Sequence, residues 1–253
     1  MNPDTSTKAG SVPTTGGTNP LYLMGLRGTS AARISGISWS DFTLRATSQG
    51  HLHNGLLVGY ADNPNLSDLE IDGIPGNSGI PPGETFAFNV WQCRGATLDN
   101  VVVQGHWVTA SGLGLNSSTS TTVNGGAFNK VKYGAGITQW QCANTTLNGV
   151  DLSLNRKAFN SEMCTGFLTM NNCDFRGLAS TGPHITIDGY AGSMKVTIAD
   201  PVLEPSEGPL RIKLGATYTY NGVTKPNAQL KSDIKVLING KDVSGDSTKV
   251  KIS

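Results

Sequence analysis

One octet recurs along this chain and limits its fold more than any other feature. It runs Trp39-Ser-Asp-Phe-Thr-Leu-Arg-Ala46, Leu66-Ser-Asp-Leu-Glu-Ile-Asp-Gly73 and Leu98-Asp-Asn-Val-Val-Val-Gln-Gly105. It returns as Val123-Asn-Gly-Gly-Ala-Phe-Asn-Lys130, Leu147-Asn-Gly-Val-Asp-Leu-Ser-Leu154 and Met170-Asn-Asn-Cys-Asp-Phe-Arg-Gly177, with a weaker copy from Ile198. The first positions are 27, 32, 25, 24 and 23 residues apart. A second apolar segment precedes each octet: Leu56-Leu-Val58, Phe88-Asn-Val90, Leu113-Gly-Leu115, Ile137-Thr-Gln139, Phe159-Asn-Ser161 and Ile185-Thr-Ile187. Each unit thus holds two or three short strands of period 2 separated by turns.

A repeat near 25 residues, with strands and no helical pattern, predicts an all-β, right-handed parallel β-helix of the pectin-lyase-like kind. At about 4.8 Å per coil, seven or eight coils make a rod roughly 35 Å long. Inward apolar side chains then form ladders, and Asp41, Asp68, Asn100 and Asn172 line one bend. Asn and Asp suit that place because they tolerate the left-handed region and bond nearby backbone. Composition agrees. Gly is 32 of 253 residues, there are 20 Asn, and charged residues are only 15%, against about 25% in an average domain.

The expected division is a flexible arm over 1–18, the β-helix over 19–205 and a C-terminal β cap over 206–253, where Ser232-Asp-Ile-Lys-Val-Leu-Ile-Asn-Gly-Lys241 reads as a strand and an Asn-Gly turn. The Pro/Gly-rich stretch Gly73–Gly83 is expected to project as a loop. A net charge of +1 provides no field for nucleic acid or anionic lipid. No secretory leader and no membrane-spanning run is visible. Cys93, Cys142, Cys164 and Cys173 lack zinc spacing, and no metal or other cofactor is expected; the four are read as free thiols in the inner ladders. His51, His53 and His106 are read as surface histidines.

Stacking selects the candidate site residues. Trp91-Gln-Cys93 repeats as Trp140-Gln-Cys142, and Gly59, Asn116, Glu162 and Asp188 stand at the same step of other coils. Trp91 and Trp140, two coils apart around Asn116, either pack over the turn between sheets or stack on the rings of an extended glycan. Glu84 either joins such a site or bonds its own loop. Glu162 with Asp188, and Asp151 with Asp174, form stacked acid pairs. A glycosidase needs carboxyls about 5–9.5 Å apart, and solvated acid ladders in a β-helix meet that spacing as readily. The calcium aspartates and paired arginines of pectate lyases are absent. Arg211-Ile-Lys213 matches the Arg-x-Lys of polygalacturonases without its companion motifs.

The phrases His53-Asn-Gly-Leu-Leu-Val58, Asp72-Gly-Ile-Pro-Gly76, Pro81-Pro-Gly-Glu-Thr-Phe86, Trp140-Gln-Cys142 and Ser232-Asp-Ile-Lys-Val236 resemble β-helix minor tail proteins of phages infecting mycobacteria and related actinobacteria, over about residues 20–240. The resemblance implies a virion-surface protein on the phage tail, assembled with other tail proteins, forming a homotrimer and engaging host cell-wall polysaccharide. It transfers no catalytic residues. Two functions follow as expectations: a tail component that holds host glycan, or a depolymerase (lyase or hydrolase) that cleaves it.

Overall fold

The computed structural model describes residues 24–45, 55–72, 86–104, 111–131, 134–178, 182–189, 192–220 and 222–253, and its long sheets are built of parallel strands. One sheet runs through nine strands: Met24–Arg27, Leu56–Gly59, Phe86–Trp91, Ser111–Asn116, Ala135–Trp140, Lys157–Glu162, Ile185–Asp188, Leu210–Leu214 and Val250–Ile252. A second carries Ser38–Arg45, Asn65–Asp72, Thr97–Asp99, Thr119–Asn124, Ala143–Asn148, Thr165–Asn171, Lys195–Ala199 and Ile234–Ile238. The chain alternates between the sheets, so each strand lies beside its counterpart from the previous circuit. This all-β stack is compatible with a parallel β-helix.

The octet register holds rung by rung. Trp39 pairs with Leu66, Leu66 with Leu98, and the row continues through Val123, Leu147, Met170 and Ile198 to Val236. In the first sheet Leu56, Phe88, Leu113, Ile137, Phe159, Ile185 and Ile212 form the matching row. Both rows are buried, and each fully buried Leu, Ile or Phe contributes about 1.5–3 kcal/mol.

The bend after the octet's first residues is left-handed on every circuit, at Asp41, Asp68, Asn100, Gly125, Gly149, Asn172 and Asp200. Two further left-handed columns stand at each corner leaving the first sheet. Tyr60, Gln92, Ser117, Gln141 and Met163 form one, and Asn63, Gly95, Ser120, Asn144 and Gly166 the other, three residues on. Tyr, Gln and Met carry no turn signal. What holds them is the ladder itself: the amides of Gln92, Ser117 and Gln141 donate to Asn116, Trp140 and Glu162 carbonyls of the next circuit at 2.7–2.9 Å. Hydrogen bonding thus continues through the corner and offsets the cost of the left-handed conformation.

Polar side chains stack in the same register. Asn124 donates to Asp99 (2.6 Å), Asn148 to Asn124 (2.8 Å) and Asn171 to Asn148 (2.8 Å), a one-way amide row on the second sheet. At the inner corner Cys93, Ser118, Cys142 and Cys164 form another. Ser118 Oγ donates to Val90 O (3.1 Å) and Cys142 Sγ to Leu115 O (3.0 Å), while the Cys93 and Cys142 amides donate to Ser118 Oγ and Cys164 Sγ. All four cysteines are free and buried; burial raises the Cys93 thiol and takes Cys173 to about 11, which keeps both protonated.

Irregularities are local. Thr165–Asn171 carries one extra residue against Ala143–Asn148, and this bulge leaves Phe167 44% exposed. Both sheets run past residue 205. Ile234–Ile238 turns through left-handed Asn239-Gly240 into the antiparallel strand Lys241–Asp242, and the chain then crosses to Val250–Ile252. The expected Asn-Gly turn therefore sits at the end of the stack, where the edge strands are short and lysine-bearing. Residues 1–18, the segment Gly73–Gly83, Glu84 and His51, His53 and His106 lie outside the described residues.

Candidate functional site

The outer surface of the first sheet carries two side-chain columns, because alternate residues of each strand point away from the core. One column reads Leu57, Asn89, Gly114, Thr138, Asn160, Thr186 and Lys213. The other reads Arg27, Gly59, Trp91, Asn116, Trp140, Glu162 and Asp188. The stacking of Trp91, Asn116, Trp140, Glu162 and Asp188 is the one expected from sequence.

A groove of about 470 Å³ opens on this surface. Asn116, Trp140 and Glu162 line one end, Thr138 and Asn160 its middle, and Ser111 and Lys157 the other. Phe86, Ala135 and Pro183 supply apolar wall. Gly114 allows the floor to form, because the ring of Phe86 occupies the space a Cβ at 114 would need. The floor is wired together. Lys157 Nζ donates to Asn160 Oδ1 (3.0 Å), and Asn160 Nδ2 donates to Glu162 Oε1 (2.6 Å). Ser111 and Thr138 share a hydroxyl hydrogen bond. Asn116 Nδ2 donates to Asn89 Oδ1 at 2.7 Å, and Asn116 Oδ1 is buried with no partner. Burial lowers the Lys157 ammonium, opposed by Asp188 and Glu162.

Trp91 has a different setting. Gly59 has no side chain, so Arg27 reaches across its rung and places its guanidinium 5.3 Å from the Trp91 ring centroid. Tyr60 meets the same indole edge-on at 5.0 Å. Trp91 is packed at one end of the column, whereas Trp140 lines the groove.

The two acid pairs also separate. Asp188 stands one rung beyond Glu162, over Gly215, and its carboxyl is raised above the ordinary range, chiefly by burial and next by the Glu162 charge. Asp151 and Asp174 bridge adjacent rungs on the third side of the circuit. There Asp151 accepts from Asn129 (2.8 Å) and the Ser153 amide (2.9 Å), while Asp174 takes a bidentate bond from Arg176 that lowers it against the opposing effect of burial. Arg211 is tied to the Gly182 and Glu207 carbonyls.

Sequence reasoning missed Lys157, Asn160, Thr138 and Ser111. The first three share strands with Trp140 and Glu162, so the alternation already applied to the tryptophans would have found Thr138 and Asn160. Among the described residues, no group of three or more His, Cys, Asp or Glu side chains is placed to hold a metal ion. No helix there is long and apolar enough to cross a membrane. No protein family, curated protein or solved structure matches the chain.

Proposed function

We propose that this protein is a phage tail component, a right-handed parallel β-helix of seven to eight coils, that binds host cell-envelope glycan in the groove over its first sheet. The observation that carries the glycan reading is the lining of that groove: one indole, three amide or ammonium side chains and paired hydroxyls on a rigid sheet. Flat aromatic faces take sugar rings, and fixed polar groups take the hydroxyls. The tail assignment rests on the resemblance to actinobacterial phage minor tail proteins, as do the virion location, the contact with other tail proteins and the homotrimer.

Adsorption to immobilised cell-wall arabinogalactan from an actinobacterial host tests the reading. The wild-type chain is expected to bind saturably, and Trp140→Ala to weaken binding about tenfold or more, roughly 1.4 kcal/mol. Trp91→Ala, which removes packing under Arg27, is expected to leave adsorption within about twofold. No saturable binding by the wild type would overturn the proposal, and sedimentation as a monomer would remove the trimer.

A second reading, depolymerisation, is favoured by one feature: Asp188, whose carboxyl is raised by burial and by the Glu162 charge, stands beside Glu162. Two neighbouring carboxyls, one of them raised by its surroundings, are what glycoside hydrolysis uses. New reducing ends or unsaturated products from host polysaccharide, abolished by Glu162→Gln and by Asp188→Asn, are the expected result of that reading. Their absence at high enzyme concentration leaves binding alone.

A further inference from the structure

The floor of this groove points to the kind of sugar it holds. Asn116 is 5% exposed, and its amide nitrogen is already committed to Asn89. The oxygen is the end without a partner. A buried acceptor left unpaired is costly, so this position demands a hydrogen-bond donor and rejects another acceptor.

The surroundings narrow the donor. Asn116 pairs in register with Trp140, and the Phe86 ring lies over Gly114, two residues away on the same surface. Ala135 and Pro183 extend the apolar wall. A sugar hydroxyl would satisfy Asn116 but leave that wall without an apolar partner. A ring ammonium would set a charge against the wall, in a groove whose two cations, Lys157 and Arg156, already outnumber its one carboxylate, Glu162. A carboxylate would place an acceptor against an acceptor. An acetamido group meets every requirement: its N–H donates, its methyl packs on the rings, and its carbonyl accepts from neighbouring hydroxyls.

We infer that the groove takes glycans containing 2-acetamido sugars, with the acetamido N–H donated to Asn116 Oδ1 and the methyl seated against Phe86 and Trp140. This rests on the glycan-binding reading above. The probes are three neutral-pH trisaccharide solutions of matched linkage: chitotriose, its fully deacetylated amine and cellotriose. Calorimetry on the full chain is expected to show chitotriose binding at least about tenfold tighter than either of the others. Saturation-transfer NMR is expected to show its strongest signal at the acetyl methyl. Asn116→Leu is expected to erase the preference. Should that variant fail to fold, the wild-type series and the methyl signal decide alone.

Equal affinity for chitotriose and cellotriose would overturn the acetamido inference while leaving glycan binding intact. So would binding to host cell-wall polysaccharide with none of the three trisaccharides bound. Failure to bind any of the trisaccharides or the cell-wall polysaccharide would overturn both.

Discussion

Replacing Asn155 with alanine is expected to lower stability by about 3–5 kcal/mol, read as a fall in the urea midpoint at unchanged m-value. This side chain is fully buried at the return toward Lys157–Glu162, and it answers three backbone groups at once. Its Nδ2 donates to Phe128 O (2.8 Å) and Leu152 O (2.9 Å), and its Oδ1 accepts from the Val131 amide (2.8 Å). Alanine strands all three away from water, at about 1–3 kcal/mol each with partial relaxation. Gly136 offers an independent check. A Cβ there would collide with Asn155 Nδ2 and Phe128 O, so Gly136→Ala should lose stability comparably with Asn155 itself unchanged. A loss below about 1 kcal/mol in both variants would show that the return does not depend on this amide.

His184 is expected by itself to remove about 3 kcal/mol of stability as pH drops from 6.5 to 4. The imidazole is fully buried, its Nδ1 accepts from the Arg211 amide at 3.0 Å, and Phe175 meets it edge-on. Burial, assisted by the Arg211 charge, lowers it from 6.5 to about 4. Between those values the unfolded chain binds the proton and the native protein does not, so each step toward acid favours unfolding. The contribution is fully lost below about pH 4. Asp188, raised in the folded protein, acts in the opposite direction, since the native state holds its proton longer as pH rises. The slope difference between wild type and His184→Gln therefore isolates the histidine. Urea midpoints at pH 7.5, 6, 5 and 4 should fall along a shallower line for the variant; parallel lines would exclude His184 as the titrating group.

The stacking register was legible in the chain because it is written twice. The octet fixes one sheet and the Leu56/Phe88/Leu113 series fixes the other, and a one-residue slip would turn either row outward. The Asp41, Asp68, Asn100 and Asn172 bend was legible because its residue types state the conformation. The Tyr60/Gln92/Met163 corner was not, since tertiary hydrogen bonds impose it on residues without that preference. Asn116, Trp140 and Glu162 could be placed in one column from spacing alone. The fate of Trp91 could not, because it depends on Arg27, two circuits away, reaching across the glycine rung between them. Lys157 and Ser111 sit next to returns of unequal length, where periodicity stops carrying information.

The amide row has a consequence for how such a chain can change length. Asn124 and Asn148 each donate a hydrogen bond to the circuit before and accept one from the circuit after, Asn171 donates to Asn148, and Asp99, which only accepts, closes the series. The links are interchangeable within the series but not at its head. Excising residues 125–148 would seat Asn171 on Asn124 with donor and acceptor already matched, so a shortened protein inherits a complete row. Duplicating the same segment would lengthen it by one link. Evolution, or an engineer, can therefore gain or lose whole circuits here by recombination, whereas growth on the far side of Asp99 would have to begin from a different polar group.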